Sequence, residues 1–494
     1  MPYRPKSYLS AILAAMEFSI LAQVLALTVT VFTLLGVVSA IEAVMKTRTA
    51  QGAVAWVIVL LTFPYIAVPV YWIFGRTKFD GYVEQRKAVE EALKTTQQAT
   101  SDAIWPNSVD TDDLCDTFRT LLPLARTAVT VGNDVRLLVN GEATHTALLN
   151  AIHGAQQHIY LVYYIIRDDH IGAELMNALI VKAQQGLSVH VIYDEIGSRT
   201  FARSSLLSRA LSHGVNIVPF NTTRGRRNRF QLNFRNHRKL ACIDSRLALL
   251  GGHNIGREYL GQDPKIGPWR DTHLQIQGPA VLAMELTFAA DWRWAKGEQL
   301  QLSFTKPSES RHGKQVLIFP SDPSSEFEEA GLMYHQLISE AKQRLWITSP
   351  YFIPDHSIIS ALQLAVLRGV DVRVMIPDNP DGPMVAMANW SYTKELLPAG
   401  VKVFRYGPGF MHQKVTLVDN DLCAIGTANF DNRSFKLAFE ITALINDEEF
   451  ALEVQQMLEA DFASASEVSA QHFSHRPFWF RPAMALARLF SPVL

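Results

Sequence analysis

The feature that most constrains this chain is one eight-residue motif that occurs twice. His237-Arg238-Lys239-Leu240-Ala241-Cys242-Ile243-Asp244 and His412-Gln413-Lys414-Val415-Thr416-Leu417-Val418-Asp419 both read HxKxxxxD. Gly251-Gly252-His253-Asn254 and Gly426-Thr427-Ala428-Asn429 then follow at the same offsets. Chance would supply one such motif in a chain this long on the order of a few hundredths of the time, so the pair marks an internal duplication. The preceding segments repeat as well. Residues 158–164 form a β-branched and aromatic run, 175–185 have helical spacing, Gly186 stops the helix, and 189–193 read as a second strand. Residues 344–348, 358–367, Gly369 and 372–376 follow the same order, and each half continues to a short apolar run after Gly214 or Gly400. Alternating strands and helices of this length predict α/β units around a largely buried sheet. The duplication predicts two similar α/β sandwich domains related by a pseudo-two-fold axis.

Residues i and i+2 of a strand share a face. His237 with Lys239, and His412 with Lys414, are therefore expected to project together, so that each half presents an imidazole and an ammonium. Two histidines brought together suit a two-step displacement at phosphorus, one attacking and the other first protonating the leaving alcohol and then deprotonating the incoming one. The lysines would neutralise the phosphoryl oxygens, with Asn254 and Asn429 as further donors. Asp244 and Asp419 complete the candidate catalytic set, but their parity is wrong for the histidine face, which points to a structural or supporting role. Glu440 and Asp271 are candidates to hold the far nitrogen of an imidazole. The scheme needs no cofactor, and no Cys, His or carboxylate cluster has metal-ligand spacing.

The N-terminus differs in kind. Residues 18–40 are almost unbroken aliphatic and 53–74 are apolar and aromatic. Each approaches the ~20 residues that cross a bilayer. The first run is too long for a cleaved signal peptide, and a second run follows it, so a transmembrane helical hairpin is expected to precede the two domains. Arg4, Lys6, Arg76, Lys78, Arg86 and Lys87 flank the pair, against Lys46 and Arg48 in the loop, which favours cytoplasmic ends. Three scattered cysteines, Cys115, Cys242 and Cys423, agree with a reducing compartment. The expected layout is an anchor at 1–76, a polar connector at 77–125, catalytic halves at 126–305 and 306–475, and a basic-aromatic segment at 476–494. That last segment is either interfacial or packed on the second half. Arg224, Arg226, Arg227, Arg229, Arg235 and Arg238 crowd the first motif, where they would hold anionic headgroups or a bilayer surface. A formal net charge of −1 and the lack of a long basic stripe argue against a nucleic-acid partner.

With its two HxKxxxxD motifs the chain resembles the phospholipase D superfamily, whose members act through a phosphohistidine formed between two such halves. Within it, Trp269-Arg270-Asp271-Thr272-His273, Gly278-Pro279, Asp291-Trp292, the run from Gly426 to Ser434 and the N-terminal hairpin resemble bacterial cardiolipin synthases over nearly the full length. The resemblance implies phospholipase-D-like domains and an inner-membrane enzyme that condenses two phosphatidylglycerol molecules into cardiolipin and glycerol. His237 would be its nucleophile and His412 its general acid and base. Its partners would be phosphatidylglycerol, other anionic phospholipids and the bilayer. A hydrolase that passes the intermediate to water and a membrane-tethered nuclease are the alternatives; oligomeric state is left open.

Overall fold

A computed structural model describes residues 6–47, 49–75, 79, 82, 108, 109, 111–220, 223, 233–300, 313–474 and 476–492. The chain divides into two compact units, Met1–Phe79 with Thr223–Asn233, and Asp80–Thr222 with Phe234–Leu494.

In the smaller unit one helix runs from Lys6 to Lys46. From Ile12 it is long and apolar enough to cross a bilayer. Over residues 12–31 its side chains are exposed all round, Phe18 being 73% exposed and Leu27 66%, as a helix surrounded by lipid requires. The second apolar run differs from the expected continuous span. It is helical over Ala50–Thr62, breaks at Phe63, and resumes over Pro64–Val70 before a π turn at Tyr71–Gly75. Pro64 explains the break, since proline lacks the N–H that a continuing helix would need. The longer piece spans only about 20 Å. Both pieces pack against the first helix. A Cβ on Gly36 would lie 2.6 Å from the Leu60 carbonyl, and Trp72 Nε1 donates to Ser39 Oγ at 3.1 Å.

The larger unit carries the duplication. Among the described residues both halves contribute to one sixteen-stranded sheet. At its centre Val129–Val139 of the first half pairs antiparallel with Lys314–Ser321 of the second. Outward from that seam the two sides repeat. Thr272–Gln277 answers Ala438–Asn446, Leu247–Gly251 answers Leu422–Gly426, and Lys239–Ile243 answers Val415–Val418. The parallel strands His158–Tyr163 and Ser188–Tyr193 answer Arg344–Thr348 and Asp371–Pro377. The expected α/β halves about a pseudo-two-fold axis are thus present, fused edge to edge rather than merely touching.

The helices that follow the first parallel strand of each half begin and end alike. Asp169 accepts from Ile171 N and Gly172 N ahead of His170–Gln184, and Asp355 accepts from Ile358 N ahead of His356–Leu367. Gly186 and Gly369 leave those helices at φ +92°, a conformation that costs glycine little. In the first half, Leu161 and Tyr163 pack with these helices on one face of the sheet. Tyr160 stacks on Phe288 of helix Ala280–Lys296 from the other. In the second half, Trp346 meets Phe462 of helix Glu448–Ala463 edge to face. Trp292 and Trp294 of helix Ala280–Lys296 are buried. The C-terminal helix Phe480–Arg488 buries Phe480, Met484 and Ala487 and sets Phe480 against Trp390, while Phe478, Trp479, Leu486 and Leu489 stay exposed. The connector's helix-like stretch at 84–94 and Arg224, Arg226, Arg227 and Arg229 lie outside the described residues.

Candidate active site

The strand that leads into each motif crosses to the other half. Arg235–Asn236 pairs in parallel with Ala438–Phe439, and Phe410–Met411 pairs in parallel with Trp269–Arg270. This crossing places each histidine beside a carboxylate of the opposite repeat. His237 N donates to Phe439 O at 3.0 Å and His412 N donates to Arg270 O at 2.8 Å. The next residues along those partner strands are Glu440 and Asp271. His237 Nδ1 lies 2.9 Å from Glu440 Oε1, and His412 Nδ1 lies 2.7 Å from Asp271 Oδ2.

Both carboxylates are fully buried and both stay ionised. Burial alone would raise Glu440, but the partnership with His237, then Lys239 and Thr427, holds it below the usual range. Burial opposes ionisation of Asp271 as well, and there His253, His412 and Lys414 prevail. An ionised carboxylate only accepts, so each imidazole carries its proton on Nδ1 and keeps the Nε2 lone pair free. The histidines themselves are held neutral. Burial, against the pull of Glu440, brings His237 down to about 4. Burial and then Lys414 bring His412 down to about 3.

Both histidines line one cavity of about 1150 Å³, together with Asn254, Asn429 and Glu440. The surroundings of the two rings differ. Tyr164 lies edge-on to His237, centroids 4.9 Å apart, with Arg235 and Arg433 also on that wall. Trp269 lies 5.0 Å from the His412 ring and donates to Asp271 Oδ2 at 3.3 Å. Thr427 Oγ1 donates to Glu440 Oε2 at 2.5 Å. Apolar wall residues include Ile165, Ile353, Val385 and Phe410.

Two sequence expectations need correction, those for the motif aspartates and for Arg238. Lys239 and Lys414 each stay with their own histidine. Each is buried and donates to the carbonyl of its own motif histidine, at 2.6 Å and 2.7 Å. Burial lowers both ammoniums, Lys414 to about 8. Asp244 and Asp419 do not belong to a catalytic set that touches the cavity; the structural role suggested by their parity is the one they fill. Asp244 accepts from the backbone N–H groups of Gln156, Gln157 and His158. Asp419 accepts from those of Lys342, Gln343 and Arg344. Each sits at positive φ in the turn after its motif strand, 54° and 49°, and fastens the loop that starts the neighbouring parallel strand. Arg238, grouped by sequence with headgroup-binding arginines, is 2% exposed. Its Nη1 lies 2.5 Å from Asp291 Oδ1 and its Nε donates to Glu440 O at 3.0 Å.

Sequence reading gave no site role to Tyr164, Thr427 or Asp431, although the last two stand in the run from Gly426 to Ser434. Asp431 lines the cavity, and burial raises its carboxyl to about 7. The inward reach of the position after each motif histidine was also unread. Arg238 and Gln413 both reach inward, Gln413 Nε2 to Thr272 Oγ1 and Asp461 Oδ2.

A family profile described as "Cardiolipin synthase, PLD-like domain" matches residues 148–267 and 334–462, one stretch in each repeat. The chain belongs to the cardiolipin synthase family of the phospholipase D superfamily. It is thereby an enzyme of the phosphatidyltransferase class. A second profile, "Phospholipase_D-nuclease N-terminal", matches residues 29–76, and with the long apolar helix it makes this a membrane protein. Cardiolipin synthase A of Pseudomonas fluorescens strain Pf-5 is 43% identical over 465 residues, 93% of this chain and 96% of the relative. Cardiolipin synthase A of Pseudomonas aeruginosa strain LESB58 is 43% identical over 466 residues, 93% of this chain and 94% of the relative. The crystal structure of phosphatidylserine synthase from Haemophilus influenzae Rd KW20 superposes with a TM-score of 0.58 at 16% identity, covering 77% of this chain and all of that one. That likeness establishes the shared fold.

Proposed function

We propose that this enzyme makes cardiolipin from two phosphatidylglycerol molecules by reversible transfer through a phosphatidyl-histidine. The observation that carries the reading is the pair of neutral imidazoles, each tied through Nδ1 to the other half's carboxylate and both lining one cavity.

His237 Nε2 attacks the phosphorus of the donor, forming a P–N bond as the bond to the glycerol headgroup oxygen breaks. His412, protonated in the complex, gives its Nε2 proton to that oxygen and glycerol leaves. The anionic phosphodiester favours this protonation, since it places negative charge beside an imidazole that is neutral in the free protein. His412 then takes the proton from the terminal hydroxyl of a second phosphatidylglycerol, whose oxygen attacks phosphorus as the P–N bond breaks. Cardiolipin is released with His237 neutral and His412 again carrying the proton it held at the start. Every step is reversible because neither half-reaction consumes more than it returns. Glu440 and Asp271 stabilise the imidazolium forms, while Lys239 and Lys414 supply positive potential from behind the histidines. Asn254 and Asn429 donate to the phosphoryl oxygens.

The second apolar run completes a two-pass hairpin around the break at Phe63, with both ends of the anchor and the catalytic unit on the cytoplasmic face. The basic residues beside the runs support this orientation.

The test is turnover of phosphatidylglycerol in proteoliposomes. Cardiolipin with equimolar glycerol is expected; phosphatidic acid in its place would identify a hydrolase. Acid-labile phosphorus mapped to the His237 peptide after a quench would establish the intermediate, and label on His412 alone would reverse the roles.

A further inference from the structure

We propose that Tyr82, a connector residue outside both repeats, is a positioning residue for His237. The proposal rests on the reading of His237 as the reacting group. Asn236 and Arg238, on either side of that histidine, are held by one carboxylate. Asn236 Nδ2 donates to Asp291 Oδ2 at 3.0 Å and Arg238 Nη1 to Asp291 Oδ1 at 2.5 Å. Tyr82 OH donates to the same Oδ1 at 2.9 Å. Its ring meets Phe439 in a T-shaped contact with centroids 4.8 Å apart, and Phe439 supplies the carbonyl that accepts the His237 N–H. One phenol thus touches both the clamp on the flanks of His237 and the backbone partner of His237 itself. Tyr82, Asn236, Arg238 and Asp291 are each 2% exposed or less, so water is poorly placed to replace a lost partner.

The second half provides a comparison within the molecule. Asp461, on the helix equivalent to that of Asp291, accepts from Arg270 and Gln413, which both belong to the repeats. On the first side a hydroxyl from the connector is added. The carboxylate there gathers three different residues, one of them from the segment that follows the anchor in sequence. Arg238 also donates to Glu440 O, so a shift of Arg238 within the clamp would disturb both the main-chain and the carboxylate support of His237.

Tyr82→Phe keeps the ring and removes the hydroxyl. In full-length protein in proteoliposomes, kcat for phosphatidylglycerol is expected to fall about tenfold with KM unchanged. The rate of His237 carbethoxylation by diethyl pyrocarbonate, followed by peptide mapping, gives a readout that needs no lipid turnover. Its pH midpoint should move upward in the variant as the ring loosens and gains hydration, while that of His412 stays put. Unaltered kcat and an unaltered His237 midpoint would overturn the proposal, as would a loss confined to KM or thermal stability. Should the unmodified enzyme fail to convert phosphatidylglycerol, the functional reading falls, and the His237 midpoint still decides the role of Tyr82.

Discussion

His237 and Glu440 form a hydrogen-bonded pair across 203 residues of sequence, one member from each repeat. His412 and Asp271 form its mirror. Each imidazole is held by a carboxylate of the other half, so the proposed site is one centre built from both repeats rather than two. Glu440→Gln should lower kcat on the order of a thousandfold, since an amide can present its N–H₂ to Nδ1 and favour the wrong tautomer. Asp271→Asn should do the same, and the double variant should be little worse than either single one. Steady-state rates for the four proteins check this.

Activity should hold on the acid side further than an ordinary histidine allows. With His412 neutral in the free protein and protonated in the complex, kcat/KM is expected to rise as the pH falls from neutrality and to turn over nearer pH 4, where His237 takes up its own proton. On the alkaline side, loss of the Lys414 proton at about 8 removes positive charge near the transferred phosphate. Rates should decline above that pH. A pH–rate profile in non-ionic detergent reads both limbs.

Folding stability should fall with acid over a defined window. The folded values of His237 and His412, about 4 and about 3, lie below the ordinary ~6.5, so the unfolded chain binds protons first as the pH drops. The contribution of these groups is therefore complete above about pH 6.5 and is lost progressively down to their folded values. Denaturant titrations between pH 7 and pH 4 should show the midpoint declining.

Asp419→Ala should cost stability more than chemistry. The carboxylate accepts from three consecutive backbone N–H groups, and removing it should destabilise by about 2–4 kcal/mol. Specific activity of the protein that remains folded should stay close to that of the parent. Thermal unfolding with activity normalised to folded fraction separates the two quantities.

Gly252→Ala should damage the site through Asp271. An added Cβ would stand 2.0 Å from Asp271 Oδ1, so the carboxylate must move and its hold on His412 weakens. A loss of kcat on the order of a hundredfold is expected. At Gly154 an added Cβ meets nothing within 4 Å, and Gly154→Ala should turn over normally.

Much of this was legible in the sequence because it is periodic or local. The strands at 158–164 and 344–348 and the helices ending at Gly186 and Gly369 announce themselves through apolar spacing and glycine stops. The duplicated motif names both histidines outright. Glu440 and Asp271 were legible only as candidates, since nothing in their spacing says which imidazole each one serves. His237 precedes its strand Lys239–Ile243 rather than lying in it, so the carbonyl that Lys239 reaches was not legible from strand parity. The break at Phe63 follows from Pro64 inside the second apolar run, and only the packed unit resolves that run into two pieces.

The sequence by itself determined the duplication, the order of strands and helices in each half, the reacting residue types and the apolar N-terminus, because each is written in neighbouring residues. Only the tertiary structure decided that the halves share one sheet, that their carboxylates are exchanged, and that the motif lysines and aspartates turn inward. Those outcomes depend on which strand edges meet, a competition among backbone pairings and buried charges hundreds of residues apart.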